Sequence, residues 1–402
     1  MREGGGFDSL IQMLRILTLI FSCLLLAAPA FAQAPPLALP AIPGFHTLKG
    51  DLHLHTVFSD GRVWPSFRVY EANRDGLDFI ALTDHVDYEG NPKEIARDYN
   101  KAFDLAVAAA KGTRLIVLRG GEISPRTPPY HANAIFLQDA NALPIPYMSE
   151  TKGAFVMKPK PSNAELMAPF IEANRQGAFI IYNHPAYLYD WNETTMGTDL
   201  MTPFHKSLLR QGMLQGVEIV NSGRYYKKAH RIAIEHNLTL IAGSDEHSDI
   251  ANTHKGSHRP MTLVFSKDST AAGIREAMLA RRTAIYFRDL IIGRKAEVEP
   301  FFNAAITATV EQSRRHNEPL LLVHIANSSD IPFNIRASGK YDIDNLPLGR
   351  ITLSQRATTT IAIRTLWDFP TSVTIQLLVE NLITGPDEML GTSLTVRPDW
   401  KR

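Results

Sequence analysis

The chain has 402 residues, with 42 Lys and Arg against 41 Asp and Glu and a formal net charge of +1. That length holds one large domain and a smaller one, and the even charge lacks the basic excess by which nucleic-acid binders neutralise phosphates. Apolar residues make up 45% of the chain, which excludes a disordered polymer and predicts a globular core.

The N-terminus reads first as a targeting segment. Arg15 precedes an uncharged apolar run from Ile16 to Ala28, and Ala30-Phe31-Ala32 supplies small residues for cleavage after Ala32. Residues 1–32 are therefore expected to be a signal peptide, with Met13 as an alternative start, and the protein to be exported, periplasmic or secreted. The run is shorter than the roughly 20 apolar residues of a membrane span, so no stable span is expected after cleavage. The single cysteine, Cys23, lies inside this run. The mature chain would then have no thiolate, leaving His, Asp and Glu as the available metal ligands. Residues 33–46 form a Pro/Ala-rich linker.

From Thr47 onward, short β-branched or apolar runs recur: Leu48 to His55, Phe79 to Thr83, Leu115 to Leu118, Ala132 to Leu137, Ala178 to Tyr182, Gly216 to Val220, Leu238 to Ala242 and Met261 to Phe265. Helical-period stretches separate many of them, among them Pro92 to Lys111, Ala164 to Gln176 and Tyr226 to Asn237. Such alternation predicts an α/β domain over 47–298, built as a parallel barrel of about eight strands. Beyond it the helical period disappears. Leu320 to Ala326, Phe333 to Ala337, Arg350 to Ser354, Thr358 to Leu366, Val373 to Val379 and Thr392 to Val396 predict a small all-β, sandwich-like domain over 299–402. His316 and His324 fall there and are expected to be structural.

Chemistry-bearing residues gather at the ends of the barrel strands. Residues two apart on a strand share a face, so His53 and His55 present both imidazoles to one side, and Asp245 and His247 repeat the arrangement. Thr83-Asp84-His85, Gly120-Gly121-Glu122 and Asn183-His184-Pro185 close three further strands. A barrel brings its C-terminal strand ends to one face. Imidazole and carboxylate without thiolate suit Zn, Mn or Fe and choose weakly among them. A bridging carboxylate such as Glu122 would let two ions share a hydroxide. Arg224, after the strand at Val217, is the expected substrate contact, because a guanidinium grips two oxygens of an anion at once. His254, with His258 and Arg259, lies in the loop past His247 and is a further candidate for touching substrate. Tyr182, Tyr187, Tyr189 and Trp191 could line an aromatic wall.

The segments Asp51-Leu52-His53-Leu54-His55-Thr56 with Ser59-Asp60-Gly61, Leu82-Thr83-Asp84-His85, Gly121-Glu122-Ile123, Asn183-His184-Pro185 and Gly243-Ser244-Asp245-Glu246-His247 resemble the successive motifs of the polymerase-and-histidinol-phosphatase (PHP) superfamily, in that family's order. The resemblance implies a distorted (β/α)7 barrel in place of eight strands, holding two or three divalent ions. It assigns His53, His55, Glu122 and Asp245 to a first ion, Glu122, His131 and His184 to a second, and Asp60, His85 and His247 to a third. Asp84 and Asn183 would orient ligating imidazoles.

The implied activity is phosphoester hydrolysis, with a metal-bridged hydroxide attacking phosphorus in a small organic phosphate ester, diesters slightly ahead of monoesters. His247, His85 and Asp245 would serve the chemistry, either histidine protonating the leaving group. An amide or carboxylic-ester hydrolase and a non-catalytic scaffold are the alternatives. No nucleic-acid partner is expected, and oligomeric state is not legible.

Overall fold

The computed structural model describes residues 37–400 apart from 91, 152–153, 186–199 and 345. The expected signal peptide, and Tyr187, Tyr189 and Trp191 of the expected aromatic wall, lie outside the described residues. No described helix is long and apolar enough to cross a membrane.

The elements run β1 (His46–Asp51), α1 (Pro65–Arg74), β2 (Phe79–Leu82), α2 (Tyr99–Ala110), β3 (Ile116–Ile123), β4 (Ala132–Ile135), β5 (Met148–Thr151), β6 (Ala154–Met157), α3 (Asn163–Arg175), β7 (Phe179–Tyr182), α4 (Pro203–Arg210), β8 (Gly216–Asn221), β9 (Arg224–Tyr225), α5 (Lys227–Glu235) and β10 (Thr239–Gly243). Then come α6 (Ile250–Thr253), β11 (Met261–Ser266), α7 (Ala271–Leu279), β12 (Thr283–Phe287), β13 (Leu290–Gly293) and α8 (Lys295–Ala305). Local chemistry sets the helix ends. Ser162 and Glu165 form a reciprocal capping box at the start of α3, and Pro65 and Pro203 open α1 and α4, where a missing N–H costs nothing. Gly76 and Gly177 take left-handed φ values of 68° and 77° just past α1 and α3, which turns the chain back into the next strand.

Seven strands follow the order β1-β2-β3-β4-β7-β8-β10 around the barrel. Neighbours β1/β2, β2/β3, β7/β8 and β8/β10 are parallel, but β4 runs antiparallel to both β3 and β7. The resemblance's distorted (β/α)7 barrel is therefore observed, and the eight-strand parallel count is corrected. The run at Met261 belongs to β11, which pairs antiparallel with β1. Side chains bind β10 to this flank, the Thr262 hydroxyl donating to the Ala242 carbonyl and the Thr283 hydroxyl to that of Leu240, both at 2.9 Å.

The chain beyond the barrel departs from the expected boundary at 299, which falls inside α8. Phe301 and Phe302 face the core from that helix rather than opening a strand, and the all-β part starts at β14 (Ile306–Arg315). It continues with β15 (Glu318–Asn327), β16 (Phe333–Gly339), β17 (Asp342–Asp344), β18 (Arg350–Leu353), β19 (Ala357–Arg364), β20 (Val373–Gly385) and β21 (Glu388–Val396). One sheet is β14-β15-β19-β17; the other, β20-β16-β18 with β21 on β20, joins the barrel sheet through a parallel pairing of β13 with β20. Buried residues of both parts form one apolar cluster, in which Phe265 of β11 meets Phe301 at 5.9 Å and Phe302 meets Phe333 of β16 at 5.0 Å. Because barrel and β-domain share this core, Phe301→Ala should lower stability by about 3–5 kcal/mol. Urea unfolding followed by fluorescence and circular dichroism should show one shifted transition, and two separate transitions would contradict the shared core.

Candidate metal centre

The reversed direction of β4 explains how its neighbour joins the site. His131 immediately precedes β4, so the start of β4 lies beside the end of β3, where Glu122 pairs with Asn133. Isolated bridges from Leu54 to Glu246 and from His85 to Glu122 carry pairing past the strand ends into the motifs. His184 and Asp245 hold positive φ values of 26° and 55°, a backbone cost that non-glycine residues accept where side-chain aim is constrained.

All nine expected ligands converge, with Glu122 at the centre. Its Oε1 lies 3.2 Å from His131 Nδ1, 3.4 Å from His53 Nε2 and 3.7 Å from His184 Nε2; its Oε2 lies 2.8 Å from His85 Nδ1 and 3.7 Å from His55 Nε2. Asp245 Oδ1 sits 3.3 Å from His53 Nε2 and 3.2 Å from His55 Nε2. Asp60 is 3.3 Å from His247 Nε2, 3.5 Å from His85 Nε2 and 3.6 Å from His55 Nδ1. Four overlapping groups have metal-competent spacing: His55 with Asp60, His85 and His247; His53 with His184 and Glu218; His53 with His55 and Asp245; and His85 with Glu122 and His131. The grouping differs from the expected sets by placing His55 beside Asp60, His85 beside Glu122 and His131, and His184 beside Glu218.

Divalent ions fit this donor set. His53 Nε2 and both ring nitrogens of His55 are buried without a hydrogen-bond partner, an arrangement whose desolvation cost a cation would offset. Burial pushes the His55 imidazole down to about 3, so it is held neutral, the form that ligates. Burial also opposes charge on His53, His85, His184 and His247, but the neighbouring carboxylates outweigh it and raise all four above 6.5. Glu122 and Asp245 lie well below the usual carboxylate range, their burial outweighed by the surrounding imidazoles.

Residues that the motifs did not indicate hold the ligands in place. Glu218, buried on β8, places Oε1 2.9 Å from His53 Nδ1, while its Oε2 accepts from the His184 amide at 2.9 Å and from Asn221 at 3.0 Å. A lone acid inside the apolar strand Gly216-Val217-Glu218-Ile219-Val220 was the available signal. A Cβ on Gly243 would come within 2.3 Å of Glu218 Oε1, so a glycine is needed there. Arg68, fully buried, donates to the carbonyls of His55, Glu246 and Ser248 at 2.9, 2.7 and 2.7 Å and thereby ties two motifs together. Asp84 accepts from the Thr56 amide and hydroxyl and from the Ser59 hydroxyl, and Asn183 donates to Glu122 Oε1 at 2.7 Å. These two therefore brace a turn and a carboxylate, in place of the imidazoles expected.

The expected substrate contacts stand as follows. A cavity of about 1110 Å³ opens beside Asp60, His85 and His131, and neither Arg224 nor His254 lines it. Arg224 is exposed on β9, paired with Asn221, and His254 caps the short α6 with Nε2 buried and unpartnered. Arg259 is buried against Asp51 and Asp75, His258 stacks on Tyr286 at 4.0 Å, and Tyr182 stacks on His205 at 4.0 Å. In the β-domain, His324 bonds Thr360 at 2.9 Å and His316 turns the β14–β15 hairpin.

A strand-lined barrel whose mouth gathers imidazoles and carboxylates around one buried glutamate defines the class of a metal-dependent hydrolase. The chain is similar to a two-domain protein of Bacteroides vulgatus described as containing a PHP-like metal-dependent phosphoesterase, at 33% identity and a TM-score of 0.75, covering 90% of this chain and 98% of that one. The chain belongs to this two-domain PHP-like family. Residues 306–395 match a family of Ig-like domains. Weaker likenesses, which add nothing to the argument, are to a candidate metal-dependent phosphoesterase of Bifidobacterium adolescentis (17% identity, 58% of this chain and 96% of that one, TM-score 0.39) and to an amidohydrolase of Chromobacterium violaceum with bound sulfate (17%, 50% and 87%, 0.33). No curated protein matches the sequence.

Two measurements test the centre. Glu218→Gln should weaken divalent-ion affinity by about 10- to 100-fold, read by calorimetry, because His53 would lose the charge that orients it; unchanged affinity would reduce Glu218 to packing. Imidazoles raised above 6.5 in the metal-free fold stabilise it fully at low pH and lose that contribution as pH rises through the raised values. Metal must displace those protons, so the gain in Tm on adding Mn²⁺ to EDTA-stripped protein should grow from about pH 5.5 to about pH 8. A gain that stays flat or shrinks would show that these imidazoles do not ligate.

Proposed function

We propose that this protein is an exported hydrolase of small organic phosphate esters that works with two or three divalent ions, Zn, Mn or Fe, and favours diesters slightly over monoesters. The observation that carries the reading is the placement of Glu122 within 3.7 Å of imidazole nitrogens from His53, His55, His85, His131 and His184, which suits a carboxylate shared between ions. Ions bound there supply Lewis acidity toward phosphoryl oxygens and lower the pKa of water into the neutral range.

His53, His55, Glu122 and Asp245 would hold the first ion, Glu122, His131 and His184 the second, and Asp60, His85 and His247 the third. The third set is the most open, Asp60 and His247 being 33% and 35% exposed at the side chain. Its residues therefore meet the substrate. Where one of them is not engaged by metal, Nε2 of His85, which lines the cavity, or of His247 would supply the proton for the leaving oxygen. Ser124 and Asp87 steady His85, its Nδ1 lying 2.7 Å from the Ser124 hydroxyl, which donates in turn to Asp87. Asp245 orients His247, whose Nδ1 lies 2.9 Å from the Asp245 carbonyl oxygen. Export rests on the N-terminal run and its cleavage motif, and the cavity has room for organic groups on an ester.

Mn²⁺-loaded protein should hydrolyse bis-p-nitrophenyl phosphate and p-nitrophenyl phosphate and leave p-nitrophenyl acetate nearly untouched, with EDTA abolishing the activity. His55→Ala should cut kcat/KM by at least about 100-fold. Cleavage of the acetate alone would favour a carboxylic-ester hydrolase. In His85→Ala and His247→Ala, loss of metal and activity together would count against a separate acid role; activity lost with metal retained would support one.

A further inference from the structure

The cavity beside the centre is asymmetric in charge. Its floor is Asp60, His85 and His131, and its outer wall comes from the Ser124–Thr127 segment, the β5–β6 hairpin and the run Lys158-Pro159-Lys160-Pro161. Three side-chain cations face it: Arg126, Lys158 and Lys160. The carboxylates do not balance them. Asp60 lies among His55, His85 and His247, and Asp87 already accepts from the Ser124 amide, the Ser124 hydroxyl and the Tyr147 hydroxyl. Lys158 is neutralised by Glu165 at 2.6 Å. Arg126 and Lys160 have no ion-pair partner among the described residues, and both are exposed.

The backbone that carries these two cations is also held in place. The Arg126 amide lies 3.3 Å from Sδ of Met157 on β6, which ties its segment to the hairpin. Lys160 sits between two prolines, and a residue before proline is confined to extended conformations. On one side of it the Lys158 amide donates to the Tyr147 carbonyl at 2.9 Å, and on the other the capping box of α3 begins at Ser162. Unpaired cations on an ordered rim suit an anion, which would form charge-assisted hydrogen bonds there. Phe155, Val156 and Met157 add an apolar strip to the same wall.

We propose that Arg126 and Lys160 bind a second negative charge on the organic part of the substrate, so that the preferred esters are organic phosphates carrying another phosphate or a carboxylate. The assignment rests on the phosphoesterase reading for what is cleaved, and on the cavity alone for what is bound.

Calorimetry on the Mn²⁺-loaded protein should show 4-carboxybenzylphosphonate binding about tenfold more tightly than benzylphosphonate, a difference of about 1.4 kcal/mol. In Arg126→Gln with Lys160→Gln the preference should fall below about twofold while benzylphosphonate affinity stays within about twofold and the melting temperature is unchanged. Hydrolysis of 4-carboxyphenyl phosphate against phenyl phosphate should follow the same ratio in kcat/KM. No preference in the wild type, a preference retained in the double variant, or a preference removed by Arg224→Gln alone would overturn the assignment. Anion preference in binding without cleavage of any phosphate ester would instead overturn the phosphoesterase reading and leave the anion site standing.

Discussion

Glu122 is a buried carboxylate ringed by imidazoles, and the architecture of the barrel mouth follows from keeping it there. A charge removed from water is costly unless it is paired and hydrogen-bonded. Here Asn183 donates to one oxygen at 2.7 Å, and histidines just past β1, β2 and β7 and just before β4 surround both. Asp245 plays a similar part between His53 and His55. His53 Nε2 and both ring nitrogens of His55 are buried with no hydrogen-bond partner, so a cation is the natural complement of this ligand set.

The surrounding scaffold is rigid where the ligands need it. Arg68 clamps the carbonyls that follow β1 to those that follow β10, and Arg259 spans Asp51 and Asp75 beneath them. The β-domain adds to this by extending the same sheet from β13 into β20 and by sharing an apolar core with the barrel. Across the cavity, by contrast, the wall is built from a hairpin and a proline-flanked run with exposed cations, the part of such a fold that can vary without disturbing the ligands.

Much of the centre was legible because metal ligation imposes local patterns. His53 and His55 stand two apart just past β1 and Asp245 and His247 two apart just past β10, a spacing that marks both pairs in the sequence, although the φ of 55° at Asp245 departs from an extended strand. His131 was legible only through a family spacing, since no local pattern marks it; the antiparallel β4 supplies the reason for its position. Glu218 and Arg68 escaped notice because each works through contacts more than 100 positions distant, with His53 and with the carbonyls of Glu246 and Ser248. Helix α8 was read as the start of the β-domain because Phe301 and Phe302 suit a buried strand as well as a buried helix face, and a pair of aromatics carries no period.

What the amino-acid sequence determined by itself was the chemistry on offer: imidazoles and carboxylates spaced for strand ends, a barrel-like alternation, and an all-β tail. Tertiary structure alone decided which strand runs backwards, how the ligands divide among groups, and which cations face the cavity. Arg126 and Lys160 illustrate the difference, since no local pattern marks them, whereas the fold sets both on the cavity wall. Local patterns record which way a side chain points along its own strand; which neighbours it meets depends on how distant strands pair, and that pairing is set by the closure of the whole barrel.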